Sequence, residues 1–386
     1  MNNLSLLKIW LMFFVFVLAL AIFVQFILLP HVFPSFHAGD GLLKGGDWIY
    51  FHHLAVDLSQ KIKSEGWSAW ELRPEGQTPA GIAAVIYTLT VPKPWTLIPL
   101  NAALHATAVI VLLLIILQFI NDRKIAFIAI LPFVFFPSAM TWYTQIHKDG
   151  YFILGNFLLI YGWLLFIQTL KENNKWQQTF KGILLIELGA FFVWLVRPYG
   201  VQMLQGLTLI VNIIISFILF FYFVKRKIYF NQMIIAILLC WSVFSIMTPL
   251  TKGGIIYDFP SMISSESISE KDQDNKFWKK SDWIPDSIES KFYSIALVRE
   301  RYRKGYPEAG SKIYTNISFH SLNDVLKFIP KALGIVLFAP FPNDWLKEGT
   351  AEWNTMMRKI SGFEMVVVYI SLFTFIFFLF NNWRNT

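Results

Sequence analysis

The sequence has little charge and a single cysteine, and both shortages limit what the chain can be. Only 15% of its 386 residues are charged, 55% are apolar, and the mean hydropathy is +0.51. A soluble chain of this length carries far more charge, so the composition predicts an integral membrane protein. Cys240 lies inside an apolar segment. One cysteine excludes an intramolecular disulfide framework and a cysteine-based metal site.

The motifs of familiar soluble enzymes are missing as well. The sequence has no P-loop, no His-Glu-x-x-His pair and no Gly-x-Ser-x-Gly elbow. The adjacent His52 and His53 and the lone His105 do not have the spacing of metal ligands. The net charge of +8 comes from short basic loops between apolar runs. The positive-inside rule explains these loops better than nucleic-acid binding does.

About eight apolar runs are candidates for membrane spans. The first contains Ala19-Leu20-Ala21, which resembles a signal-peptidase site, but apolar residues continue to Leu29 and favour an uncleaved signal anchor. The basic loops fall on one side if the N-terminus is cytoplasmic, so both termini are predicted inside. The runs are residues 9–29, 97–119, 125–141, 151–168, 183–196, 203–224, 233–250 and 365–380.

This topology leaves two large outside loops, residues 30–96 and 251–329. The first loop contains a helix pattern with apolar residues three and four positions apart, which predicts a helix lying in the membrane interface with its apolar face down. The alternative is a soluble helix packed on another domain. The apolar positions are Trp48, Phe51, Ala55, Leu58 and Ile62.

Shorter features mark the remaining helices. Two apolar pieces, residues 80–91 and 332–341, are bounded by prolines and too short to span, so they predict re-entrant or interfacial helices. Residues 286–302 have helical periodicity. The stretch from Ser321 to Asp324 has the pattern of a capping box and predicts the start of a helix that runs into the bilayer at Pro330.

Charged residues near or within the apolar runs are the candidates for chemistry, because such groups are costly in a membrane and usually face a cavity or a partner. By the predicted topology, all of them except Glu187 lie on the outer face. Two structural alternatives stay open: Lys148 and Arg197 snorkel to the interface, and Asp149 caps a helix. The set is Asp40, Asp47, His147, Lys148, Asp149, Glu187, Arg197 and Glu364.

Carboxylates beside an arginine and a lysine at this boundary favour transfer from a phosphate-activated donor to an alcohol. A carboxylate can take the proton of a hydroxyl, and Arg or Lys can stabilise a leaving phosphate. A lipid-linked donor suits the location, since its tail stays in the bilayer. A divalent ion between Asp47 and Asp149 stays an open alternative, because oxygen ligands alone do not reveal one.

The order of elements resembles the multi-spanning GT-C glycosyltransferases, which use polyprenyl-phosphate-linked sugars. A first span precedes a long loop with an acidic residue, an interfacial helix, a proline-led apolar piece and a second span. Residues 47–55, DWIYFHHLA, are similar to this loop in the bacterial branch related to glycosyltransferase family 39. Residues 94–107 resemble the start of span two in that family, 137–159 its second outer loop, and 321–345 members found among surface-polysaccharide genes.

The resemblance implies an all-α, GT-C-like bundle of about eight transmembrane helices, forming a single membrane domain over residues 1–386. Interfacial helices would occupy the first outer loop, and the second would form a small extracytoplasmic cap. The implied activity moves a sugar from a polyprenyl-phosphate-linked donor to a glycan or lipid-linked acceptor. This would occur on the outer face of a bacterial inner membrane, in cell-surface polysaccharide assembly.

Roles for individual residues also follow from the resemblance. The catalytic base falls on Asp47, with Asp149 as the second acidic residue. The donor phosphate is expected at Arg197, Lys148 and His147. Further contacts with donor or acceptor are expected from Tyr50, His52 and Glu364.

The sequence departs from the family in two places. The family often has an Asp-Glu pair where this chain has Asp47-Trp48, and its proline pair is reduced here to Thr78-Pro79. The base assignment therefore has a named alternative, Asp40, which lies nearer the first span.

Two rival functions use the same membrane setting. A polysaccharide polymerase or ligase acting on lipid-pyrophosphate oligosaccharides needs the same residues, and the sequence does not separate it from the first interpretation. A transporter or flippase for lipid-linked sugars needs no base. Transporters often have related halves, and no internal repeat is visible in this sequence, which favours an enzyme.

Overall fold

The structure is a computed structural model that describes residues 5–169, 176–197, 277–305, 312–349 and 351–382, with isolated positions between 213 and 238. The chain divides into two compact units, Met1–Ser264 and Ser265–Thr386, and each is described here by itself. The described part of each unit is mostly helical, in agreement with the all-α class that the resemblance implies. The single membrane domain over residues 1–386 stays a prediction.

Five of the described helices are long and apolar enough to cross a membrane. They match five of the predicted runs, whereas the predicted runs 203–224 and 233–250 lie largely outside the described residues. The total of eight spans therefore stays a prediction. The five candidate spans are Leu6–Val32, Pro94–Ile116, Asp149–Phe166, Gln177–Val196 and Glu352–Phe378.

The predicted run 125–141 is not a single helix, which corrects the sequence interpretation. Its residues form α5 (Arg123–Phe135) and α6 (Pro137–Thr144), separated by Phe136 in an extended conformation. A residue before proline is disfavoured in the helical region, so Pro137 ends α5 and starts a new helix. The 13 residues of α5 reach only about 20 Å, less than the apolar thickness of a bilayer.

Within the described part of the first unit, buried residues form three hydrophobic clusters between its helices. Four helices carry most of the largest cluster: α1 (Leu6–Phe23), which continues as a π-helix over Val24–Val32, α4 (Ile98–Ile116), α7 (Asp149–Thr169) and α8 (Trp176–Val196).

Glycines bring the backbones of α7 and α8 into contact. A Cβ added at Gly162 would lie 2.7 Å from the carbonyl oxygen of Gly182, and one at Gly189 would lie 2.6 Å from that of Gly155. Small residues allow this close approach in membrane helices, where packing drives association. The two helices run antiparallel, so the start of α7 and the end of α8 lie at the same end of the pair.

The first outer loop contains two helices packed on each other, α2 (Asp47–Glu65) and α3 (Thr78–Leu89). The predicted helix is confirmed, but its apolar stripe is buried inside the protein, and none of the five side chains from Trp48 to Ile62 is more than 6% exposed. Ala80, Ala83 and Ala84 of α3 are fully buried. The prediction that this stripe faces the membrane is therefore wrong, because α3 and its surroundings cover it.

The same loop begins with a short hairpin of β1 (His37–Gly39) and β2 (Leu42–Leu43), paired antiparallel. The turn Gly39-Asp40-Gly41 joins the strands. All three residues have positive φ angles, of 103°, 52° and 79°. Two glycines meet this requirement without strain, and aspartate is one of the residues that tolerate it.

The second unit contains α9 (Asp286–Gly305), α10 (Leu322–Phe338) and α11 (Glu352–Asn382). The predicted capping box is confirmed, since the backbone N–H of Asp324 donates to Ser321 Oγ over 3.3 Å. The guanidinium of Arg299 on α9 donates to the carbonyl of Ile317 over 3.1 Å and to that of Tyr314 over 2.7 Å. These bonds fix the segment before α10 against α9.

Candidate functional site

A charged cluster lies where α7 begins and α8 ends. Asp149 is the first residue of α7, and Arg197 directly follows α8. The Arg197 guanidinium forms an ion pair with Asp149 Oδ1, and His147 Nδ1 lies 2.8 Å from Oδ2. The antiparallel packing of the two helices brings these residues together across 48 positions of sequence.

The cluster is largely withdrawn from solvent. The side chains of His147, Asp149 and Arg197 are 7%, 17% and 26% exposed. A carboxylate at this depth needs compensating partners, and the arginine and the imidazole supply them. The guanidinium also stacks 4.6 Å from the ring centroid of Phe152. The predicted alternative in which Arg197 only snorkels is therefore replaced by a specific ion pair.

Positive groups outnumber the carboxylate in this cluster. Lys148 Nζ lies 5.6 Å from the ring centroid of Phe51, beside His147 and Asp149 in the chain. The Nε of Arg197 is buried and has no hydrogen-bond partner among the described residues. The start of α7 adds the partial positive charge of a helix N-terminus. This combination favours an anion, and phosphate fits the donors of arginine and lysine.

The first turn of α2 packs against the same cluster. The indole of Trp48 lies 6.1 Å from the His147 ring between centroids, and its Nε1 donates to the carbonyl of Leu43. Asp47 precedes Trp48 as the first residue of α2 and is exposed. Among the described residues, Asp47 has no ion-pair partner. The structure therefore places an accessible carboxylate one residue from a side chain that touches the cluster.

Asp40 occupies a different position, at the tip of the hairpin. Its Oδ1 accepts from Lys93 Nζ over 2.7 Å, and both side chains are almost half exposed. The backbone N–H of Gly41 donates to Nε2 of His37 over 2.9 Å, which closes the turn. The alternative base is thus a carboxylate already engaged by a lysine.

A buried group of amides, which sequence reasoning missed, joins the hairpin to the segment before the cluster. The Gln145 side chain accepts from Leu43 N over 3.0 Å and donates to the carbonyl of Gly41 over 3.2 Å. Asn101 Nδ2 donates to the Gln145 carbonyl over 2.8 Å, and Gln25 Nε2 to the Thr144 carbonyl over 2.6 Å. Gln25 and Asn101 lie in apolar runs, where a polar residue is a signal of its own.

A second missed residue, Arg73, holds the end of α8. Its Nη2 donates to the carbonyl of Trp194 over 2.8 Å, and its Cζ lies 4.2 Å from the Trp194 ring centroid. Thr78 Oγ1 donates to the carbonyl of Leu195. The last carbonyls of a helix have no partner within it, and a cation is favourable there. Arg73 and Thr78, called here the α8 clamp, therefore fix the segment from which Arg197 projects.

The remaining predicted residues do not join the cluster. His52 is buried and its Nδ1 lies 2.9 Å from the hydroxyl of Tyr87. Burial lowers the pKa of His52 and raises that of Tyr87. Tyr50 donates a hydrogen bond to Glu75. His52 therefore packs against Tyr87 of α3, and the expected contacts of His52 and Tyr50 with donor or acceptor stay predictions.

The two glutamates of the predicted set lie elsewhere. Glu187 belongs to the interior of α8, as its sequence position predicts. Glu364 belongs to α11 in the second compact unit and is half-buried. Its expected contact with donor or acceptor stays a prediction.

Metal binding was an open alternative for Asp47 and Asp149. Within the described ranges, no group of three or more His, Cys, Asp or Glu side chains is placed to hold an ion. Both oxygens of Asp149 already have partners, Arg197 and His147. A divalent ion between Asp47 and Asp149 stays a prediction.

Comparison with known proteins found no family model, no curated protein and no solved structure that matches the chain. The resemblance to GT-C glycosyltransferases stays a prediction from sequence. The functional proposal below therefore rests on the geometry of the charged cluster and on the sequence pattern.

Proposed function

We propose that the protein is a membrane glycosyltransferase that moves a sugar from a polyprenyl-phosphate-linked donor to a hydroxyl of a glycan or lipid-linked acceptor. The observation that carries the proposal is the cluster of His147, Lys148, Asp149 and Arg197 beside the exposed Asp47. It lies at the ends of two helices long enough to cross a membrane. A lipid-borne phosphate reaches the protein at such a boundary.

In this proposal the basic groups bind the donor phosphate. Arg197 has a buried Nε–H that no described residue uses, and Lys148 directly precedes Asp149, the first residue of α7. Asp149 holds the guanidinium through one oxygen and the His147 ring through the other. Asp149 therefore orients the phosphate-binding groups, and we assign it no role as base.

Asp47 is the proposed base. It has no ion-pair partner among the described residues, whereas Asp40 is paired with Lys93 and Asp149 with Arg197. The acceptor hydroxyl gives its proton to the Asp47 carboxylate while its oxygen forms a bond to the anomeric carbon. The bond from that carbon to the phosphate oxygen breaks, and the lipid phosphate leaves with the electron pair. Its growing negative charge is stabilised by Arg197 and Lys148.

The proposed setting is the outer face of a bacterial inner membrane, in assembly of a surface polysaccharide. It rests on the basic loops of the sequence and on the family resemblance. The five candidate spans support the membrane location.

The test is an assay of the purified protein with polyprenyl-phosphate and polyprenyl-pyrophosphate sugar donors, with and without a chelator. The variant Asp47→Asn should lower transfer by at least about 10²-fold, since general bases contribute roughly that much or more. The matched control is Asp57→Asn, an exposed aspartate further along α2.

Three outcomes would redirect the proposal. Full activity of Asp47→Asn would remove that residue from the mechanism. Transfer from pyrophosphate donors alone would favour a polymerase or ligase. Specific lipid binding without turnover of any donor would favour a transporter.

A further inference from the structure

Helix α10, in the second unit, has an apolar face that the proposed function does not use. The side chains of this face lie at spacings of three and four residues, so they share one side of the helix. They are between 41% and 80% exposed. This set, called here the α10 apolar face, is Leu326, Ile329, Leu333, Val336 and Leu337.

The opposite side of α10 already has partners within its unit. The ring of Phe328 lies 5.2 Å from that of Phe319 and 6.0 Å from that of Tyr314, between centroids. Arg299 of α9 places its Cζ 4.9 Å from the Phe328 ring centroid. These contacts attach the helix to its unit. The α10 apolar face is therefore not what holds α10 in place.

The end of α10 is tied to α11, which is one of the candidate spans. The hydroxyl of Tyr369 donates to the carbonyl of Phe338 over 2.5 Å, and Trp345 Nε1 donates to the carbonyl of Pro340 over 2.8 Å. The Trp345 and Tyr369 rings lie 5.9 Å apart between centroids. The last carbonyls of a helix and those just after it have no partner within the helix, so they need such donors where water is scarce.

The position of Tyr369 along α11 indicates the depth of this connection. The charged residues of α11 end with Arg358, Lys359 and Glu364, and an apolar run follows. Tyr369 lies five residues after Glu364, which is about 7.5 Å along the helix axis. Tyrosine and tryptophan are enriched at the boundary between water and hydrocarbon. The end of α10 is therefore held at the level where α11 enters the apolar phase.

Two lysines lie on the side of α10 away from the apolar face. Lys327 and Lys331 are exposed and lie one turn apart, each more than about a third of a turn from the centre of that face. Lys331 Nζ also lies 5.5 Å from the ring centroid of Tyr314. A helix with an apolar face and a basic polar side binds in the interface plane, where its cations meet lipid phosphates.

We infer that α10 is a lipid-binding helix that lies in the membrane interface. Its apolar face contacts acyl chains, and Lys327 and Lys331 contact the phosphates of phospholipid headgroups. The sequence allowed either a re-entrant or an interfacial helix for residues 332–341, and this inference favours the interfacial helix. The inference is independent of sugar transfer, because none of these residues belongs to the proposed catalytic cluster.

The test is depth measurement by electron paramagnetic resonance on the full chain in vesicles of phosphatidylcholine and phosphatidylglycerol. The one native cysteine is removed with Cys240→Ser, and single cysteines are labelled in turn. Ile329→Cys, Leu333→Cys and Val336→Cys probe the apolar face. Lys327→Cys and Lys331→Cys probe the polar side of the helix. Phe373→Cys, 74% exposed in the apolar part of α11, is the reference for lipid.

Labels on the apolar face should meet molecular oxygen more often than a water-soluble nickel complex, as the label at 373 should. Labels at 327 and 331 should show the reverse, at the depth of the phosphates. Access of the nickel complex to all five α10 sites would overturn the inference. Shielding of the apolar face from both reagents would also overturn it, because protein would then cover that face. Circular dichroism and gel filtration confirm that each labelled variant is folded.

Discussion

Arg197 pairs with Asp149 although the residues are 48 positions apart in the sequence. The glycine contacts of the antiparallel helices α7 and α8 bring the start of α7 next to the end of α8. The pair is therefore a product of helix packing as much as of charge. Changes in the pair and changes in the packing should have related effects.

The first prediction concerns the pair itself. Asp149→Asn and Arg197→Gln should each lower the apparent melting temperature in detergent, because each leaves a largely buried partner without its counterion. The double variant should lose less than the sum of the two, with a coupling of about 0.5–3 kcal/mol. A double-mutant cycle on thermal unfolding measures this. Strict additivity would mean that the ion pair makes no net contribution.

The second prediction concerns the α8 clamp. Arg73→Met removes the donors to the carbonyl of Trp194, so the segment that carries Arg197 should lose its fixed position. We expect the KM for the lipid-linked donor to rise about 10-fold or more, with a smaller change in the KM for the acceptor. Steady-state kinetics with each substrate varied in turn measures the difference.

Two controls separate positioning from general destabilisation in that experiment. Lys61→Met removes an exposed cation from α2 and should leave both constants unchanged. Arg73→Lys keeps the positive charge but lacks the planar guanidinium. Its affinity for the lipid-linked sugar donor should therefore lie between those of Arg73→Met and the native protein. Equal loss of affinity for donor and acceptor would argue against a positioning role.

The third prediction tests the glycine contact of α7 and α8. Gly162→Ala puts a Cβ 2.7 Å from the carbonyl oxygen of Gly182, so the helices must separate or shift. A destabilisation of about 1–3 kcal/mol is expected for such overpacking. Gly334→Ala on α10 meets no atom within 4 Å and should be neutral or slightly stabilising. Comparing the thermal unfolding of the two variants measures the contrast, and equal behaviour would contradict the close packing.

The fourth prediction is a pH dependence of stability that comes from His52. Burial lowers its pKa below the ordinary value of 6.5, so the unfolded chain binds the proton more readily than the folded one. The stability contributed by neutral His52 is thus complete above pH 6.5 and is lost as the pH falls towards the folded pKa. Protonation also removes the option that Tyr87 donates to Nδ1.

Melting temperatures between pH 8 and pH 5 measure this effect. The variant His52→Gln should flatten the acid side of the curve, since glutamine does not titrate. Gln60→Ala, at an exposed position about two turns further along α2, removes no titrating group and should leave the slope as in the native protein. An unchanged slope in His52→Gln would assign the pH dependence to other groups.

The sequence predicts the helices better than their surroundings. The spacing from Trp48 to Ile62 predicts α2 and its apolar face, because helical periodicity is a local property. The pattern does not say what covers that face. The cover includes α3, whose buried Ala80, Ala83 and Ala84 come from a separate piece of the loop. The apolar run 125–141 has a similar limit. Its hydropathy is continuous and does not show that Pro137 divides it into two helices.

The candidate site was predicted in part for the same physical reason. Charges at the ends of apolar runs are visible in a sequence, and they led to Asp149, Arg197, His147 and Lys148. Arg73 and Gln145 gave no such signal, because their roles consist of contacts made 121 and 102 positions away. Every residue except proline has both a backbone carbonyl and an amide N–H. The residue type of the partner therefore does not indicate that it accepts from Arg73 or donates to Gln145.

The glycine contacts of α7 and α8 also set a register for the cluster. Asp149 stands six residues before Gly155, and Arg197 stands eight residues after Gly189, the glycine that faces Gly155. An α-helix turns by about 100° per residue. Inserting or deleting one residue in either interval would rotate one charge away from the other while leaving every side chain of the cluster present. Chain length in these two intervals therefore has the same weight for the site as the identity of the charged residues.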